Sequence, residues 1–211
     1  MKKKKQVRNP EKTRERILKA ATKLFPQSGY EGTSLSEIVA ATGINKRMIY
    51  HYFGDKRGLY QAVFIREWSE LKNWLDKAMT SNLESTGNIR DLLVKFVDVF
   101  FDFLAEHQYF TRLMMWDGLE GGEISRSTWK EIRGPLFIQT EFLIQEAQKE
   151  GILSKKFHPG HLIISLLATT TYYFAYASSL GDMLRTDPLS PATLRERKKQ
   201  TKLLLESVFE N

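Results

Sequence analysis

Cysteine is absent from the 211 residues. That excludes disulfides, thiolate zinc sites and cysteine nucleophiles, and it fits a reducing cytoplasm, the expected location. An uninterrupted apolar run of membrane-spanning length is missing too. The longest candidate, residues 162–180, is broken by Ser165, Thr169 to Thr171, and Ser178 and Ser179. The N-terminal "MKKKKQVRNP" is basic with no apolar stretch behind it, so it does not read as a secretion signal. Histidine is scarce as well. His158 and His161 stand three apart, but Pro159 and Gly160 lie between them, which suits a helix start better than a metal pair. There is no Gly-rich phosphate loop and no nucleophile elbow. Asp98, Asp102 and Glu106 recur every four residues, the spacing of a solvated helix face. The chain is therefore not expected to be an enzyme, and no catalytic residue, metal or cofactor is assigned.

What is present is a chain long enough for one large domain or two small ones, 42% of it hydrophobic, which supports a substantial core. Its charge is unevenly placed. Residues 1–58 carry 14 Lys and Arg against 5 Asp and Glu, whereas the remainder carries 18 against 20. All of the positive excess lies in the first quarter, so the N-terminal part is expected to meet an anionic partner, nucleic acid or a membrane surface.

Nearly every segment has helical periodicity, with glycine and proline between the periodic stretches, so the fold class is all-α with about nine helices. A first helix is expected over 10–25, where Ile17, Leu18, Ala21, Leu24 and Phe25 form one stripe; Pro26 falls at its end. Ser34 and Glu37 have the spacing of a capping box, opening a short helix over 35–42. Gly43 stops it. Asn45 caps a second short helix over 46–53, Gly54 ends that one, and Asp55 caps a long helix over 56–80.

Two short helices joined by "TGIN" make a helix-turn-helix, about 35–53. In its second helix Ile49 and Phe53 are four apart and turn inward, with Ile44 nearby. Lys46, Arg47, Met48, Tyr50, His51 and Tyr52 point elsewhere, because three consecutive helical residues cannot all face one core. A helix of this size fits the DNA major groove, where such side chains reach base edges and phosphates. Lys56 at the next helix N-terminus, and Thr33 and Ser34 before the preceding helix, suit phosphates. The other reading is a basic helical interaction module that binds anionic membrane or protein partners.

The stretch "RILKAATKLFPQSGYEGTSLSEIVAATGINKRMIYHYFGDKRGLYQAVF", residues 16–64, resembles the DNA-binding domain of the TetR family of bacterial transcriptional regulators. The likeness covers about a quarter of the chain. It implies a three-helix DNA-binding domain over 11–57, behind a basic flexible arm, 1–10, that carries Lys2 to Lys5. It places Lys46, Arg47, Met48 and His51 at base-facing positions, and Thr33, Ser34, Tyr50, Tyr52 and Lys56 at phosphate contacts. Met48 departs from the small Thr or Asn common there, and Arg47 from Gly or Pro. The resemblance also implies a ligand-responsive regulator, a repressor released from a palindromic double-stranded DNA operator by a small-molecule effector.

Residues 58–211 are then expected to form the effector-binding and dimerisation domain. Further helices are read over 88–106, from 107 towards Gly121, and over 125–133, 135–150, 159–184 and 190–209. By the resemblance, the last two pair with their copies in a homodimer; Ala168, Ala175, Ala177, Ser178 and Ser179 permit a close approach. The middle helices are rich in Phe, Tyr, Trp and Met: Phe96, Phe100, Phe103, Tyr109, Phe110, Met114, Met115, Trp116, Trp129, Phe137, Phe142, Tyr172, Tyr173, Phe174 and Tyr176, most of which helical spacing assigns to an aromatic-rich core. Trp116, Tyr172, Tyr173 and Tyr176 are the preferred effector-binding residues, since each joins a flat surface to a polar tip, and the effector is expected to be apolar or aromatic.

Overall fold

The computed structural model describes residues 9–80 and 89–209; the lysines of the expected arm, Lys2 to Lys5, lie outside them. The described residues form α1 (Pro10–Gly32), α2 (Leu35–Thr42), α3 (Lys46–Phe53), α4 (Lys56–Thr80), α5 (Ile89–Glu106), α6 (Gln108–Leu119), α7 (Glu123–Thr128), a π-turn (Trp129–Arg133), α8 (Gly134–Lys149), α9 (Pro159–Ala175), α10 (Ala177–Leu184) and α11 (Pro191–Glu206). The all-α expectation holds: no strand occurs among them, only an isolated bridge between Leu153 and Phe209. The helices exceed the expected nine chiefly because two long segments are subdivided. The segment 123–133 is a short helix continued by a π-turn, and 159–184 breaks at Tyr176.

The chain forms two compact units. One comprises residues 1–67 and 112–127, the other 68–111 and 128–211. In the first unit α1 opens at Asn9, whose side chain accepts from the backbone N–H groups of Glu11 and Lys12. Ile17, Leu18, Ala21 and Phe25 bury the expected stripe against α2 and α3. The helix does not stop at Pro26. It kinks at Gly29, whose φ of 72° and ψ of −175° suit glycine almost alone, and resumes to Gly32.

The backbone groups released by that kink find partners from α6 and the turn after it. Arg112 Nε donates to Pro26 O at 2.9 Å. Glu120 Oε1 accepts from Tyr30 N at 2.9 Å and Glu31 N at 3.3 Å. Trp116 lies so close to Gly29 that a Cβ there would meet its ring at 2.8 Å. Arg57 and Glu123 form an ion pair. Asp117, 3% exposed, accepts from Ile124 N and Ser125 N and so caps α7. Tyr60 is buried against Phe25 and Tyr30, and burial raises the pKa of its phenol.

In the second unit α5 packs against α8, α9 and α11. Leu93, Val97, Ile144, Leu162, Ile163, Leu205 and Val208 form the shared core. Lys198 of α11 pairs with Asp98 and Asp102 of α5, at 3.2 and 2.8 Å. Burial disfavours the Lys198 charge, yet these carboxylates outweigh it and raise its pKa. Tyr173 is 4% exposed and donates its hydroxyl to Pro188 O at 2.7 Å, which ties α9 to the loop before α11. At the break, Tyr176 O is shared by Ser179 N and Leu180 N, a tighter local turn that no proline or glycine marks.

Candidate functional site

The helix-turn-helix follows its sequence closely because its caps are local. Ser34 Oγ accepts from Glu37 N, and Glu37 Oε2 accepts from Ser34 N at 2.6 Å, so the capping box is complete. That backbone hydrogen bond, followed by the one from the Ser34 side chain, holds the Glu37 carboxyl below its ordinary range. Gly43 takes the left-handed conformation that ends α2. Asn45 Oδ1 accepts from Arg47 N and starts α3, and Asp55 Oδ1 accepts from Gly58 N at the start of α4.

On α3, Ile49 is fully buried and Phe53 and Ile44 are 9% exposed, so the inward face is the expected one. Lys46, Arg47, Tyr50 and His51 are exposed, and Met48 and Tyr52 half-buried. The ring of His51 lies 5.1 Å from that of Tyr52, and Lys46 Nζ sits 5.9 Å from the Tyr50 ring centroid. The helix thus presents a continuous basic and aromatic surface. A cleft beside it is lined by Lys12, Thr13 and Arg16 of α1 together with Asn45, Met48 and Tyr52.

Three expected phosphate contacts differ in what they offer. Ser34 is exposed, and its hydroxyl oxygen caps α2 by accepting from Glu37 N. Lys56 Nζ lies 4.4 Å from the Tyr30 ring centroid and 3.4 Å from Glu31 O, so its ammonium is positioned rather than loose. Thr33 stands apart. It is 2% exposed, and its hydroxyl donates to Gly29 O at 2.8 Å, which turns the side chain into the protein beneath the α1 kink.

The second unit contains a small apolar pocket with about 50 Å³ of water-accessible space. Phe96, Phe100, Trp129 and Phe137, all noted in the sequence for their aromatic character, line it with Trp68 and Arg133. Leu71, Leu136, Thr140, Ile163 and Leu167 complete the wall. The four preferred effector residues lie elsewhere. Trp116 packs on Gly29 in the first unit, and Tyr173 is spent on Pro188. Tyr172 and Tyr176 stack on each other at 4.6 Å and are 56% and 49% exposed. Trp68 and Arg133 were not singled out in the sequence. Their only signal was a tryptophan and an arginine within otherwise amphipathic helices, and neither spacing nor charge distinguishes them from surface residues.

Known proteins match both units. A family model described as bacterial regulatory proteins of the tetR family matches residues 17–63. A second, described as the tetracyclin repressor-like C-terminal domain, matches residues 90–203. The HTH-type transcriptional repressor SCO4008 of Streptomyces coelicolor is 27% identical over 79% of this chain and 80% of its own length. The HTH-type transcriptional regulator RutR of Escherichia coli K12 is 28% identical over 85% of this chain and 79% of its own. Among solved structures, the ketosteroid transcriptional regulator KstR2 of Mycobacterium tuberculosis has a TM-score of 0.70 at 15% identity, covering 98% of this chain and 97% of that one. At that identity the likeness shows the fold alone.

Proposed function

Since the chain belongs to the TetR family of bacterial transcriptional regulators, we propose that it is a repressor that a small apolar or aromatic effector releases from a palindromic operator. That it is a DNA-binding regulator and not an enzyme follows from the family and from the relatives, which are named repressors and regulators. The observation that carries the proposal is the outer surface of α3, where Ile49 and Phe53 anchor the helix and leave Lys46, Arg47, Met48 and His51 outward. In this reading those four read base edges. Ser34, Tyr50, Tyr52 and Lys56 hold phosphates, and the buried Thr33 serves the turn that presents Ser34.

The first unit is the DNA-binding head. The second holds the effector in the cavity walled by Phe96, Phe100, Trp129 and Phe137, and it forms the homodimer. Dimerisation is supported by exposed apolar residues on the late helices: Ile164, Tyr172 and Tyr176, and Leu203 and Leu204 of α11. Two-fold symmetry then matches two half-sites one helical turn, or a multiple of it, apart. Release requires that the effector bind the DNA-incompetent state more tightly than the DNA-bound state.

The test is selection of genomic fragments by the purified protein at about physiological salt, where non-specific binding is weak. A recovered palindrome is the expected result. Recovery of unrelated sequences, or of none, would overturn the repressor reading.

A further inference from the structure

We propose that the DNA-binding head carries a small-molecule site of its own, a polar pocket at the α1 kink that takes a small organic cation, a primary ammonium. The pocket offers about 120 Å³ of water-accessible space. Several waters fit there, since roughly 10–15 Å³ holds one. It lies wholly within the first unit, where the end of α1, the start of α4 and the α6–α7 turn meet. Four of its wall residues are acidic, Glu31, Asp117, Glu120 and Glu123, and one is basic, Arg57. That guanidinium pairs with Glu123, so three carboxylates have no counter-charge in the wall. Lys56 is held over the Tyr30 ring and is not part of the wall.

An acidic wall alone does not define a ligand; the Tyr60 hydroxyl adds the second observation. Tyr60 is 1% exposed, and its ring is fixed by Phe25 at 4.8 Å and Tyr30 at 5.4 Å. Its oxygen has no hydrogen-bond partner among the described residues. Burial, and then the charges of Glu120 and Asp117, raise the pKa of the phenol, and both carboxylates belong to the same wall, so the hydroxyl end of the ring faces them. The wall holds another open acceptor. Glu120 Oε1 is taken by Tyr30 N and Glu31 N, whereas Oε2 enters no hydrogen bond among the described residues. Asp117 by contrast spends both of its oxygens on Ile124 N and Ser125 N.

Chemistry then selects the occupant. An ammonium carries three N–H donors and no acceptor. One donor serves the Tyr60 hydroxyl oxygen and one serves Glu120 Oε2, both as charge-assisted bonds, each roughly twice as strong as a neutral one. The third is left for the exposed Glu31 side. The cation also balances carboxylates that the wall leaves uncompensated. A neutral alcohol, like water, fills the same space with a single donor and no charge, and an anion is repelled. A bare metal ion needs several oxygens converging on one point, and no group of three metal-ligating side chains occurs among the described residues.

The test uses the full chain and three probes of similar size at matched ionic strength: n-butylammonium chloride, 1-butanol and sodium butyrate. Affinities are measured by calorimetry, and amide hydrogen exchange locates the site. The ammonium is expected to bind about tenfold tighter than the alcohol, and butyrate not at all. It should slow exchange at the Tyr30 and Glu31 amides, which share Glu120 with the ligand. Tyr60→Phe keeps the ring, and Glu120→Gln keeps an oxygen for those two amides; each is expected to weaken the ammonium about tenfold. Equal binding of ammonium and alcohol by the unaltered protein overturns the proposal without any variant. So does an absence of ammonium binding, or binding that neither substitution weakens. Displacement of the ammonium by an equal concentration of potassium or calcium chloride overturns the organic occupant in favour of an inorganic one.

Discussion

At the residue scale, side chains of the DNA-binding head divide into those that hold its shape and those available to a partner. Gly29 belongs to the first kind. Its backbone conformation is close to glycine-only, and a methyl group would meet Glu120 Oε1 at 2.7 Å and the Trp116 ring at 2.8 Å. Gly29→Ala is expected to cost at least about 1–3 kcal/mol, measured by urea unfolding. Tyr60 is an opposite case. Its hydroxyl is buried without a hydrogen-bond partner among the described residues. Tyr60→Phe removes that polar atom and keeps the ring, so stability should be unchanged or rise by about 1 kcal/mol; a loss above that would show the hydroxyl to be satisfied. Lys46 and Tyr50 belong to the second kind. Lys46→Ala is expected to change the preferred operator sequence, by about 1–3 kcal/mol at the base it reads. Tyr50→Phe should instead weaken specific and non-specific binding alike. A uniform loss for Lys46→Ala in a fragment-selection experiment would reassign that lysine to the DNA backbone.

At the scale of elements, the legible helices were those whose ends are decided locally. The limits of α2, α3 and α4 follow from Ser34, Glu37, Gly43, Asn45 and Asp55, all within a few residues of the ends they set. What escaped the sequence is held from far away. A proline at position 26 reads as a stop, and the segment beyond it stays helical because Arg112 and Glu120 serve its loose backbone groups. The π-turn depends on a close approach of Gly134 to Trp129, and the break at Tyr176 on a shared carbonyl; neither leaves a mark in the residue pattern. The candidate site divides the same way. The α3 face follows from helical spacing, but the cavity is assembled from five separate segments, which is why an aromatic inventory found only part of its wall. The capping box also carries a pH prediction. Because the folded-state pKa of Glu37 is lowered, its stabilising contribution is complete above the ordinary carboxylate range and disappears as pH falls through the lowered value. The stability difference between the unaltered protein and Glu37→Gln should therefore be constant near neutrality and vanish in acid, as followed by urea unfolding at successive pH values.

At the scale of the whole molecule, the excess of positive charge in residues 1–58 sets how DNA affinity answers to salt. Each cationic phosphate contact removed should lower the slope of log affinity against log salt by about one, so Lys56→Ala and Tyr50→Phe are distinguishable by slope as well as by affinity: only the first removes a charge. The exposed leucines of α11 bear on assembly. Leu203 and Leu204 are 47% and 55% exposed, and replacing both by glutamate is expected to convert a dimer to monomers in light scattering. A monomer forfeits the second half-site, so operator affinity should fall steeply while non-specific binding falls little. An unchanged molecular mass would move the interface away from α11.

The α1 kink, served by residues 112 and 120, also imposes an order of events on the ribosome. The first unit is discontinuous, closing only when residues 112–127 join residues 1–67. A nascent chain that has just released Glu67 carries α1 with Pro26 O, Tyr30 N and Glu31 N still answered by water. At about 5–20 residues per second, the missing segment follows several seconds later. Through that interval the head waits, incomplete, for a strut that lies beyond an intervening part of the other unit, and a chain truncated before it would be released without one.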